Sequence, residues 1–312
     1  MYLVCGEALF DFFSDNEANG PASQVNFKAI AGGSPFNVAV GLRRLGVTSA
    51  LFAGLSTDYL GRRLHQVLTD EGVSSQYLQA FDAPTTLAMV AVGANGSPHY
   101  SFRGEGCADR QLQLAHLPTL GPDVRGLHFG SFSLVVPPIA DTLLALAERE
   151  SGKRLISLDP NVRLNPQPDI ALWRSRMATL VRHADLIKVS DEDLNLLYPD
   201  EAPQAVINGW LAHRCQLVFL TRGSEGATVF SGEHGSWSMP ARDVTIADTV
   251  GAGDTFQAAL ITWLTEHDLD SIEGLRTLTR EQISAMLAFA MHAAALTCGK
   301  TGPDLPYRQQ LE

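Results

Sequence analysis

Cysteine is scarce. The 312 residues hold four, Cys5, Cys107, Cys215 and Cys298, far apart, with no C-x-x-C pair and no Cys/His group at zinc spacing. Neither a disulfide scaffold nor a structural zinc is expected, and a reducing compartment suits the chain. Cationic residues are also short, 23 Lys and Arg against 34 Asp and Glu, for a net charge of −11. Such a chain has no general attraction for polyanions, so neither nucleic acid nor an anionic membrane is an expected partner. A phosphorylated ligand would have to be held by a local device: backbone amides, a few Arg, or Mg²⁺. Long apolar runs are missing too. The longest uncharged stretch, Ile283 to Gly299, is Ala-rich, is interrupted by His292 and is shorter than the ~20 apolar residues a bilayer needs, so it reads as a buried helix. The opening MYLVCGEALFDFF has no basic start and carries Glu7 and Asp11, which makes it a core strand and not a secretory signal. The expected location is the cytoplasm.

What is present is a folded composition, 45% apolar, at a length that suits one large domain with a small excursion. Short β-branched or Leu-rich runs (Tyr2–Cys5, Ser49–Gly54, Gly126–Phe129, Arg154–Leu158, Leu186–Val189, Leu217–Thr221) alternate with helical patterns such as Ile139–Glu150, Ile170–Arg182 and Ala205–His213. The alternation predicts an α/β fold: a doubly wound, mainly parallel sheet with helices on both faces. Two segments break it. Asp11–Ala31 is polar and contains Gly, Pro and Asn, while Thr85–Arg103 reads as two strands about Asn95-Gly96, a dipeptide suited to a tight hairpin. Together they predict either a small β lid or a hairpin at the edge of the main sheet. The expected organisation is one domain over 1–312, with lid segments at about 12–31 and 85–105.

Two glycine-containing stretches carry chemistry. In Ala247-Asp248-Thr249-Val250-Gly251-Ala252-Gly253-Asp254-Thr255-Phe256, the Gly-Ala-Gly turn precedes a helical pattern, so its amides lie at a helix N-terminus, where phosphate binds. A carboxylate at Asp254 would repel that anion unless it has a task such as taking a proton from an attacking hydroxyl; alternatively it caps the helix. A dinucleotide fingerprint would need Gly at 256, which is Phe, and a P-loop ending at Gly299-Lys300-Thr301 would need Gly at 294, which is Ala. No G-x-S-x-G or H-E-x-x-H occurs. In the second stretch, Ala31-Gly32-Gly33-Ser34-Pro35-Phe36-Asn37-Val38-Ala39, Ser34 is the expected N-cap with Pro35 in the first helical position. Gly32-Gly33 lets a polyhydroxyl ligand reach the main chain, and Asn37 offers a donor and an acceptor in the first turn. A purely structural turn would also accept two glycines.

The pair A-G-G-x-P-x-N-x-A and D-T-x-G-A-G-D, at this separation, resembles the ribokinase-like family of ATP-dependent sugar kinases, with similarity running from Gly6 to about Pro306. The resemblance implies a small β lid and in-line transfer of the ATP γ-phosphoryl group to a sugar hydroxyl, with Mg²⁺ and a monovalent cation such as K⁺ as candidate cofactors. It assigns Asp254 as general base, Gly251, Ala252 and Gly253 as the anion hole, and Asp11, Gly32, Gly33 and Asn37 as sugar contacts. Ser190-Asp191-Glu192-Asp193 stands where the family has N-x-x-E. Ser190 is there an ATP contact, and Asp193 a carboxylate holding metal-bound water. The run Thr221-Arg222-Gly223-Ser224-Glu225-Gly226 resembles the nucleotide-side turn, with Thr221, Gly223 and Gly226 as ATP contacts, although an ordinary hairpin would look the same. Asp159-Pro160-Asn161-Val162-Arg163 follows a strand at the end where ligands gather. Arg163 and Arg103 are candidate substrate contacts.

The Pro35-Phe36-Asn37 run is most similar to the fructokinase branch, so D-fructose is the expected acceptor. A 2-keto-3-deoxygluconate kinase, with Arg103 and Arg163 clamping the substrate carboxylate, is the alternative within the family. A non-catalytic sugar- or nucleotide-binding regulator is the alternative outside enzymology. The alternating apolar residues of 87–92 predict a homodimer joined through the lids.

Overall fold

The computed structural model describes residues 1–14, 23–92, 98–300 and 302–312. Their strands are β1 (Tyr2–Cys5), β2 (Leu9–Ser14), β3 (Phe27–Gly32), β4 (Ser49–Phe52), β5 (Gly54–Ser56), β6 (Gln79–Phe81), β7 (Leu87–Val92), β8 (Pro98–Arg103), β9 (Gly126–Gly130), β10 (Leu155–Asp159), β11 (Leu186–Ser190), β12 (Leu217–Thr221), β13 (Ala227–Ser231) and β14 (Gly235–Met239). The helices are α1 (Ser34–Arg44), α2 (Tyr59–Asp70), α3 (Ile139–Glu150), α4 (Ile170–Leu180), α5 (Asp191–Leu197), α6 (Pro203–Leu211), α7 (Ala252–Glu266), α8 (Ile272–Arg276) and α9 (Arg280–Cys298).

Eight strands form the main sheet in the order β14-β13-β12-β11-β10-β9-β1-β4. The six from β12 to β4 are parallel, while β13 and β14 add an antiparallel edge. Buried on both faces, the parallel strands read as continuous apolar runs, and their side chains divide between two cores by the period of two. Val4, Leu51 and Phe219 pack with α1, α7 and α9, whereas Leu3, Leu127 and Val218 pack with α3, α4 and α6. The doubly wound expectation is met. The Ile283–Gly299 run lies in α9, and no helix of the described residues is long and apolar enough to cross a membrane.

Two local expectations change, and one of two alternatives for a hairpin is met. Ser34 lies inside α1; the N-cap is Gly33, at φ 103°, and no side chain caps that helix. The Ser49–Gly54 run divides at Ala53, and β5 leaves the main sheet to pair with β6. The Thr85–Arg103 hairpin does not extend the main sheet: β7 pairs with β2, giving a separate four-stranded sheet in the order β3-β2-β7-β8. Its Asn95-Gly96 turn lies outside the described residues.

Candidate active site

The carboxyl ends of β1, β9, β10 and β11, the first turns of α1 and α7, and one face of the small sheet converge. Asp254, the third residue of α7, is 6% exposed. Its Oδ1 accepts a hydrogen bond from Ser34 Oγ (2.7 Å) and its Oδ2 one from Asn37 Nδ2 (2.8 Å). These bonds join segments 220 and 217 residues apart in the chain. They also decide what the sequence left open, because Asp254 does not cap its helix. The N-cap is Gly251, left-handed at φ 80°, without a side-chain cap bond. The preceding loop is pinned through Asp248, which accepts from Val250 N (3.1 Å) and Gly302 N (2.9 Å).

Facing Gly253 is a buried ion pair that the motif reading missed. Lys188 of β11 reaches Asp159 Oδ2 of β10 at 2.9 Å, with side-chain exposures of 3% and 1%. A Cβ at Gly253 would lie 2.8 Å from Lys188 Nζ, so the glycine gives the ammonium room against the turn. Burial works against the Lys188 charge, but Asp159 and Asp193 outweigh it and raise its pKa. Burial pushes Asp159 up to about 6 against the pull of Lys188, so both are ionised at neutral pH. Asp159 Oδ1 is buried with no hydrogen-bond partner among the described residues. A Lys inside the apolar strand Leu-Ile-Lys-Val-Ser was the available signal, since lysine is almost never fully buried unless paired.

The other expected residues divide. Asp11 and Gly32 are in contact range: a Cβ on Gly32 would lie 2.4 Å from Asp11 Oδ2. Burial pushes Asp11 up to about 6, with Arg163 opposing and Asp254 adding, so Arg163, itself exposed, is close enough to act on Asp11. Arg103 is not with them. It shares a register row with Leu87 and Phe10, whereas Asp11 shares one with Ala88 and Phe102. Alternation therefore puts Arg103 on the face of the small sheet opposite Asp11. Ser190 is the N-cap of α5, accepting from Asp193 N (3.0 Å), and Asp193 Oδ1 accepts from Val162 N (2.9 Å). Thr221 lies beside Ser190 in register. Gly223, at φ 50°, has open space where a Cβ would be. Gly226 is accounted for by the hairpin instead: a Cβ there would be 2.1 Å from Met239 O. Among the described residues no three His, Cys, Asp or Glu side chains gather to hold a metal ion.

A family model described as pfkB family carbohydrate kinase matches residues 1–310. A fructokinase of Rhizobium leguminosarum bv. trifolii is 36% identical over 309 residues, covering 99% of this chain and 88% of the relative. A fructokinase of Xylella fastidiosa solved with bound ATP superimposes with a TM-score of 0.87 at 25% identity, covering 99% of this chain and 96% of that one. A fructokinase double mutant of Vibrio cholerae O395, solved with fructose, ADP and a potassium ion, gives a TM-score of 0.84 at 26% identity, covering 99% and 96%. A match that runs through both glycine turns and every strand between them leaves one conclusion: the chain belongs to the pfkB family of carbohydrate kinases.

Proposed function

We propose that this protein is an ATP-dependent fructokinase. The observation that carries the reading is the placement of Asp254: a buried carboxylate oriented by Ser34 and Asn37 at the N-terminus of α7, with the Lys188 ammonium against the neighbouring turn. The sugar lies against Gly32-Gly33, Asp11 and Arg163, with its attacking hydroxyl toward Asp254 and Asn37. Its attacking hydroxyl gives its proton to Asp254 as the new bond from oxygen to the γ-phosphorus forms. The bond from that phosphorus to the β-γ bridging oxygen breaks, and ADP leaves. The amides of Gly251, Ala252 and Gly253 and the charge of Lys188 stabilise the equatorial oxygens, and this positioning and electrostatic stabilisation make up most of phosphoryl-transfer catalysis.

ATP lies toward Ser190, Thr221 and Gly223. Mg²⁺, an ion that keeps waters and binds through phosphates and one or two carboxylates, is the proposed divalent ion. Asp193, and Asp159 through its unpartnered Oδ1, would hold that ion's water shell, and the ion supplies neutralisation of phosphate charge. K⁺ is the proposed monovalent activator, on the strength of the similar enzyme that binds it. The small sheet serves as the lid of a single-domain enzyme acting in the cytoplasm.

Fructose is favoured over 2-keto-3-deoxygluconate because Arg103 starts from the face of the small sheet opposite Asp11, whereas Arg163 acts on Asp11. A coupled ADP-release assay over a sugar panel tests this. D-fructose is expected to have a much higher kcat/KM than ribose, adenosine or the keto acid, and dominance of the keto acid would overturn the assignment.

A further inference from the structure

The Arg110 guanidinium has no hydrogen-bonded or ion-paired acceptor among the described residues. Arg110 follows Asp109 in a short 3-10 turn and is half-buried. Its Nε is buried without a partner. Two rings hold it, the guanidinium carbon lying 5.2 Å from the centroid of Phe102 and 5.5 Å from that of Phe132, within cation–π range. The rings in turn pack edge to face at 5.3 Å. Phe102 belongs to the small sheet and Phe132 follows β9 of the main sheet, so Arg110 lies where the two sheets meet.

Its position relative to the sugar follows from the register. Phe102 and Asp11 share one row and one face, two strands apart, which is about 10 Å. That span is comparable with an extended hexose. Gly104 keeps the place open, since a Cβ there would lie 2.5 Å from Arg110 Nη2. The adjacent Asp109, pushed up to about 6 by burial, is ionised at neutral pH, and one of its oxygens accepts from Thr86 while the other has no partner. With that carboxylate beside it, the guanidinium offers directed N–H donors at low net charge, a better match to hydroxyl or carbonyl oxygens than to a full anion.

We propose that Arg110 is a specificity-determining residue that donates hydrogen bonds to the sugar oxygens at the end remote from Asp254. The inference rests on the sugar-kinase reading above and adds the recognition of the far end. Its test is Arg110→Met, which keeps length and apolar contact between the rings, compared with the unaltered enzyme on D-fructose and on 1-deoxy- and 6-deoxy-D-fructose, as substrates or as competitive inhibitors. The variant should raise KM for fructose roughly ten- to a hundredfold, as loss of a charged hydrogen bond does, with kcat and the KM for ATP little changed. For one of the two deoxy sugars, the two enzymes should bind equally, because the oxygen Arg110 serves has gone. An unchanged KM for fructose, or the same loss on both deoxy sugars, overturns the proposal. Should Arg110→Met not fold, Arg110→Lys carries the same comparison, since a lysine keeps charge without the planar fork. Turnover of fructose by the unaltered enzyme tests the kinase reading separately. If another sugar proves better, the variants are compared on that sugar and its deoxy analogues.

Discussion

Asp254 receives one donor on each carboxylate oxygen, from Ser34 and Asn37, and these bonds orient it without neutralising it. Asp254→Asn keeps the size, and the Ser34 hydroxyl can turn to accept from the new amide, so the local packing survives. What is lost is basicity. General-base contributions are typically 10²–10⁴-fold, so kcat should fall by at least roughly a hundredfold. The melting temperature should change little, and ATP binding should be retained or slightly tightened, because a negative charge beside the phosphates has gone. Measuring kcat and thermal unfolding on the same variant checks this. Normal turnover would remove Asp254 from the mechanism, whereas a large loss of stability with normal kcat would return it to a structural role.

At its base the small sheet is tied to the rest of the chain by a carboxylate that serves two elements. Asp58 caps α2 by accepting from Gly61 N at 2.7 Å, and it also accepts from Thr85 Oγ1 (2.6 Å) and Thr85 N (2.9 Å) at the entry to β7. Burial disfavours the Asp58 charge, but these donors outweigh it and hold its carboxyl below the usual range. The next residue, Thr86, is bound through its hydroxyl to Asp109. Replacing Asp58 by Ala removes the cap and frees the base of the lid together. A loss of about 1–2 kcal/mol is expected from the cap alone, with a raised KM for the sugar because the face that carries Asp11 is no longer held in place. Asp58→Asn, an equally good cap, should recover most of the stability. Chemical denaturation of the two variants reads the difference, and an Ala variant as stable as the parent would show that the clamp contributes nothing.

The lid also bears on how copies of the chain meet. Part of its outer face is covered from within: Phe10 is buried in one core, and Phe12 and Leu87 pack against it. Farther out the cover ends. Phe27, which packs edge to face on Phe12 at 6.0 Å, is 37% exposed, and Val25 is 60% exposed. We propose that a second copy covers this region, giving a homodimer joined through the small sheets. Association must overcome a like charge of −11 on each copy, so it should strengthen with salt. Sedimentation at micromolar concentration should show a dimer at physiological ionic strength, and a monomer under all conditions would refute it.

Local pattern was enough to determine the alternating strands and helices, because burial on both faces leaves continuous apolar runs and helix faces repeat every 3.6 residues. The glycine turns were equally legible, since Gly251 at φ 80° and Gly33 at φ 103° occupy backbone regions that other residues avoid. Tertiary structure alone decided four things. The partner of the Thr85–Arg103 hairpin depends on pairing across the chain, which no local pattern encodes, and β2 rather than the main sheet claims it. The side of Arg103 depends on register, where one residue exchanges the faces. Ser34 looked like a cap because Ser before Pro usually is one, yet its hydroxyl goes to a carboxylate 220 positions away. The Lys188–Asp159 pair is of the same kind: two ordinary residues in separate strands that only the parallel sheet brings to 2.9 Å. Their chemistry exists because the low-dielectric core that closes around them makes an unpaired charge untenable.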